Sequence, residues 1–158
     1  MRRKHIYSLF LALLLVFGMC GCGAKEKETT EEIEANTIGT KFAKEFLNSD
    51  ITDANAMVDV LLKQVKTPYD LTKMDVEEGY LAGFDEEIKG FTKGVKFSPV
   101  IGTIPFVGYV FETDDPDALY ALLSDKANPA WNICTEADET VSETRGKLVF
   151  FIMCKNED

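Results

Sequence analysis

Four cysteines and two dense runs of carboxylates are the side chains of this 158-residue chain whose types and spacing could do chemistry. Cys20 and Cys22 close an apolar run, where a thiol would emerge from a membrane-embedded segment, and Cys134 and Cys154 stand in apolar stretches further along. Asp114 and Asp115 form one acidic run with Glu112 and Asp117, and Glu136, Asp138 and Glu139 form another. Paired carboxylates of this kind are what a hydrolase uses as general acid and base. The one histidine is His5, at the start of the chain. Everything after it lacks the base of a Ser-His-Asp or Cys-His system and any histidine metal ligand. No C-x-x-C spacing points to a redox centre, and no spacing asks for a metal or cofactor.

The cysteines at 20 and 22 take their meaning from the residues before them. Arg2, Arg3 and Lys4 are followed by an apolar run from Ile6 to Met19, broken only by Tyr7, Ser8 and Gly18. That is the pattern of a signal peptide, and it is shorter than the roughly 20 apolar residues a spanning helix needs. Met19-Cys20-Gly21-Cys22 resembles the lipobox of bacterial lipoproteins, with Met19 at −3 and small residues before the acceptor. The resemblance implies that Cys22 receives diacylglycerol and that the bond before it is cut. Acylation at Cys20 would put the large Met19 at −1 and fits the pattern less well. The expected organisation is a signal peptide over 1–21, a lipidated cysteine and charged tether over 22–36, and one domain over 37–155. The expected location is the outer face of the cell membrane, held by acyl chains whose methylenes each contribute about 0.8 kcal/mol when buried.

The whole chain carries 17 basic and 27 acidic side chains, a formal charge of −10. Without residues 1–21, which hold three of the basic groups and none of the acidic ones, 14 stand against 27 and the charge is −13. Such a domain is a poor partner for nucleic acid, whose binding is led by Lys and Arg contacts to phosphate. It is also repelled by anionic headgroups, which leaves the acyl chains to do the holding.

Stepping through the remaining chain, residues 24–36 are charged and read as a tether. Ile38, Phe42, Phe46 and Leu47 predict a short amphipathic helix ending near Asn48. Thr52 reads as the cap of a second, over Ala54, Met57, Val58, Leu61, Leu62 and Val65, stopped by Thr67-Pro68. Beyond Pro68 glycines and aromatics alternate, and Val95–Phe97 and Phe106–Glu112 look like strands. Lys147 to Cys154 is an almost unbroken apolar run and reads as a central strand. The fold class expected is α+β: two N-terminal helices, then a mostly antiparallel sheet of four or five strands. A helical segment over 115–139 is expected to cross before the last strand, which would lie beside the Phe106 strand by a right-handed crossover.

Three stretches admit two readings each. The Pro-flanked apolar loop Pro99–Pro105 could line a groove, with Ile101, Gly102, Ile104, Pro105 and the single tryptophan, Trp131, as candidate ligand-lining residues. It could equally be a turn and buried edge leading into a strand. The 112–117 run could offer oxygens to calcium. It lacks the EF-hand spacing, and Asp115 as cap, Pro116 at the first helical position and Asp117 near the dipole account for it better. Cys134 and Cys154 could form a disulfide, closing a loop of roughly 20 residues for about 3 kcal/mol, or remain two small buried hydrophobes.

The segments GYLAGF, IGTIPFVGYVF, WNICTEADE and KLVFFIMC resemble, in texture and order, small uncharacterised lipoproteins of Gram-positive gut bacteria. The resemblance implies location and carries no activity. Two functions stay open: a non-enzymatic module binding a protein, peptide or small ligand, and an envelope hydrolase using a pair among Asp114, Asp115, Glu136, Asp138 and Glu139. The acidic runs look solvated, which favours binding.

Overall fold

The computed structural model describes residues 36–156 apart from Cys134, so the leader, Cys22 and most of the tether lie outside the described residues. The fold is α+β, a five-stranded antiparallel sheet with helices on both faces.

Helix α1, Ile38–Asn48, starts at a reciprocal cap: Thr37 Oγ1 accepts from Thr40 N, and Thr40 Oγ1 accepts from Thr37 N. Ile38, Phe42 and Phe46 are buried as the spacing predicts, joined by Ala43, whereas Leu47 is only partly buried. Helix α2, Ala54–Gln64, is capped by Asp53, whose carboxylate accepts from Ala56 N at 2.9 Å, and not by Thr52. Asp53 also pairs with Lys93, and that partner holds its carboxyl below the ordinary value. Glu112 adds a second acceptor for α2, taking Ala54 N at 2.7 Å.

The strands are β1 (Leu71–Val76), β2 (Gly79–Tyr80), β3 (Glu87–Ile88), β4 (Lys93–Pro99), β5 (Val107–Glu112), β6 (Glu139–Arg145) and β7 (Leu148–Cys154). The main sheet runs β1-β4-β5-β7-β6, and β2 and β3 form a separate two-stranded sheet. Helix α3, Pro116–Lys126, follows β5, with Asp115 as cap and Pro116 in its first turn. The helical part of 115–139 thus stops at Lys126, and Glu139 already opens β6.

The last strand does lie beside β5, but antiparallel to it, which removes the crossover argument for that pair. Because β6 and β5 are both antiparallel to β7, they run parallel to each other. The α3 connection therefore carries the chain from β5 past one strand position to β6. A two-residue turn at Gly146-Lys147, with Gly146 at φ +60°, then folds β7 back into the gap.

Alternation along β5 and β7 divides the core. Val110, Leu148, Phe150, Ile152 and Cys154 face α1 and α2 together with Val95 and Phe97. Tyr109, Phe111, Val149, Phe151 and Met153 face the opposite side, under Leu119 and Leu123 of α3 and under Phe84, Ile88 and Phe91. With both faces covered, all seven β7 residues are buried, and this is why that strand reads as an unbroken apolar run although the sheet is antiparallel. Gly108 sits opposite Phe97 in register, and the Phe97 ring lies across the space a Cβ would need.

Strand β6 grips α1 at both ends. Glu139 accepts from Gly39 N at 3.0 Å and from the Thr37 hydroxyl. A Cβ at Gly39 would lie 2.7 Å from that carboxylate, so a larger residue there would have to push the Glu139 side chain aside. At the far end Arg145 donates to the carbonyls of Phe46 and Ile51, with its guanidinium 5.3 Å from the centre of the Phe46 ring.

Candidate functional site

Where β4 passes into β5 there is a cleft of about 140 Å³, lined by Lys96, Ser98 and Val107 and also by Ile104 and Phe106 from the cluster that packs on α1 and α2. Three segments wall it. Lys96, Ser98 and Pro99 come from β4, Ile101, Gly102, Ile104 and Phe106 from the loop that follows, and Trp131 and Asn132 from the loop after α3. Ala82 and Val107 complete it.

Each segment is fixed by its backbone. The 100–106 loop closes on itself through Ile104 N to Ile101 O and Phe106 N to Ile104 O. Phe106 is anchored by edge contacts with Phe42, Phe97 and Tyr69. The loop after α3 turns at Asn128, whose side chain accepts from Ala130 N and donates to Asp85, while its own N–H bonds Gly83 O. Asn132 Nδ2 then donates to Gly102 O at 3.2 Å, tying the two loops across the cleft. Behind Ala82 the buried Tyr109 hydroxyl donates to its carbonyl at 2.9 Å, and burial pushes that phenol well above its ordinary range.

The structure thus brings Ile101, Gly102, Ile104 and Trp131 to one cleft, whereas Pro105 is buried and does not line it. Of the lining residues Ile101 is 63% exposed, and its neighbour in the chain, Val100, is 71% exposed. Lys96, Ser98, Asn132 and Ala82 are lining residues that the sequence did not single out.

The carboxylates are placed elsewhere, and none of the five lines the cleft. Asp114 pairs with Lys147 at 2.6 Å, which holds its carboxyl below the ordinary value, the opposite of what a general acid needs. Asp115 caps α3, Asp138 faces Lys155 and Asn156 N, and Glu139 serves α1. Glu136 is exposed. Burial raises the carboxyl of Glu143, but that residue sits on β6, away from the cleft. Among the described residues no three of His, Cys, Asp or Glu gather to hold a metal ion. Nor is any helix among them long and apolar enough to cross a membrane.

Cys154 is a free, buried thiol whose Sγ donates to Glu139 at 3.6 Å. Burial first, and the Glu139 charge second, push it well above the ordinary thiol range, so it is a poor nucleophile. Its candidate disulfide partner, Cys134, and the lipidation candidate, Cys22, lie outside the described residues.

Comparison with protein-family models, with curated proteins and with solved structures finds no match to this chain.

Proposed function

We propose that the protein is an exported lipoprotein, acylated at Cys22 and held on the outer face of the membrane, whose α+β domain is a non-enzymatic binding module. The cleft beside β4 carries the binding part of this reading. It combines the one tryptophan of the chain with Ile104, Phe106 and the exposed Ile101, in a chain that is otherwise strongly acidic. Exposed apolar groups gathered at a concave site mark interaction surfaces more often than chance scatter does. The volume suits a single ring or branched side chain, since a cavity of about 150 Å³ accepts benzene. The carboxylates that a hydrolase would need are engaged in capping, in ion pairs or in solvent away from the cleft.

The anchor is tested by metabolic labelling with a clickable fatty acid. Wild type takes up label and pellets with membranes, whereas Cys22→Ala does neither; equal labelling of the two would remove the lipoprotein reading. The cleft is tested by titrating ring-sized fragments against methyl-labelled protein. Shifts confined to Ile101, Ile104 and Ala82 are expected, and shifts scattered over the sheet, or none, would remove the binding reading.

A further inference from the structure

Three lysines among the described residues are half-buried: Lys93, Lys96 and Lys126. Lys93 is paired with Asp53 and Glu112, and Lys126 with Glu86 and Asp125. Among the described residues Lys96 has no carboxylate partner, although carboxylates far outnumber basic groups in this chain. Among the described residues it is also the one charged residue lining the cleft, whose other polar side chains are those of Ser98 and Asn132. A partly desolvated cation left unpaired in an acidic protein is an unmet demand for an anion.

We infer that the cleft takes a carboxylate carried on a ring-sized apolar group, with Lys96 as its counter-ion. The inference rests on the binding reading above and specifies its ligand. The ring or branched side chain enters among Ile101, Ile104, Phe106 and Trp131, and the carboxylate stays at the β4 side, where Lys96 and Ser98 supply donors. Charge selects the ligand: the strongly acidic surface repels anions in general, so an acid is retained only where its apolar part fills the cleft and Lys96 neutralises its head. A free aromatic or branched-chain acid and the C-terminal residue of a peptide share this chemistry.

Trp131 is the only tryptophan and lines the cleft, so its emission reports occupancy directly. The full chain in detergent is titrated with 3-phenylpropanoate and with its amide, and with acetyl-Gly-Gly-Phe bearing a free or an amidated C-terminus. Each acid is expected to bind about tenfold more tightly than its amide, the size of a hydrogen bond to a charged group. Lys96→Met is expected to bring the acids down to the amides and leave the amides unchanged. Raising ionic strength from about 0.05 to about 0.5 M on wild type is expected to weaken the acids alone, which keeps the test independent of how the variant folds. Tighter binding of the peptide acid assigns a chain end as the source, and tighter binding of the free acid assigns a small molecule. Equal binding of acid and amide to wild type, or loss of both in a folded Lys96→Met, overturns the role of Lys96. No response to any of the four overturns the cleft reading itself.

Discussion

Helix α1 has no acidic residue in its first turn and no basic residue in its last, so its own sequence does nothing for its dipole. Both charges come from β6. Eleven helical residues span about 16 Å at 1.5 Å each, and the six steps from Glu139 to Arg145 span about 20 Å at roughly 3.3 Å each. A seven-residue strand laid along the helix therefore reaches both ends, acid to the N-terminus and base to the C-terminus. Arg145 gives an acceptor-rich helix end what it lacks: one N–H for Phe46 O, in the last turn, and one for Ile51 O just beyond it.

Replacing Arg145 by Met keeps most of the side-chain bulk and removes all three interactions. Two net hydrogen bonds at about 1 kcal/mol each and a ring contact of about 0.5–1 kcal/mol predict a loss of about 2–3 kcal/mol. Arg145→Lys keeps the charge but lacks the planar fork whose separate nitrogens reach the two carbonyls and lie over the Phe46 ring, and should lose about half as much. For a domain of this size the Met variant should melt about 10 °C lower. Urea unfolding followed by circular dichroism and by Trp131 emission measures the loss. Glu139→Gln at the other end should add to it within about 0.5 kcal/mol, because the two sites share no partner. If Met and Lys both stay within about 0.5 kcal/mol of the parent, the clamp contributes nothing and α1 is held by its apolar stripe alone.

Three further outcomes follow from the same core. Gly108→Ala drives a methyl into the Phe97 ring and should lose about 1–3 kcal/mol, as overpacked sites do; unchanged stability would mean that Phe97 has room to move. Burial raises the Glu143 carboxyl, so its charged form opposes folding once the pH exceeds the ordinary carboxylate value of 4.5. Glu143→Gln should accordingly raise the urea midpoint at neutral pH, with the gain fading as acid protonates the parent; a gain that grows in acid would reverse the sign argued here. Cys154 should resist iodoacetamide in the folded protein and react in urea, as read by peptide mapping; rapid native labelling would show that β7 opens.

The elements that could be read from sequence are those whose environment repeats along them. α1 and α2 each bury one stripe, so Phe42 and Phe46, or Met57 and Leu61, recur at helical spacing. β7 is covered on both faces, so every position is apolar. β1 and β6 were not legible because they are the sheet's edges. Leu-Thr-Lys-Met-Asp-Val is mostly exposed, and Glu-Thr-Val-Ser-Glu-Thr-Arg is half-buried by contacts that only the folded chain supplies. The orientation of β7 depends on β6. With one strand fewer, a single crossover from β5 has to deliver β7 parallel; with β6 in place, the hairpin at Gly146 delivers it antiparallel. The acidic run before it was likewise divided by position, since Glu139 turns inward to α1 while Glu136 stays in solvent.

The cleft shows the same division between composition and placement. A Pro-bounded apolar loop is visible in sequence, and so is a lone tryptophan; that Asn132 ties them together across the cleft is not. Pro105 belonged to the right segment but turns into the core, where a ring without an N–H leaves no donor unsatisfied. Lys96 carries the weakest signal in the sequence. Between buried Val95 and Phe97 it fills the polar position that any half-buried strand offers, and nothing in Val-Lys-Phe separates it from Lys93 or Lys126. Those two sit beside Asp53 and Glu86, and among the described residues Lys96 pairs with no carboxylate. Which lysine is left over depends on where the acidic residues fall in space, and it is this placement that turns an apolar dent into a site with a preferred charge.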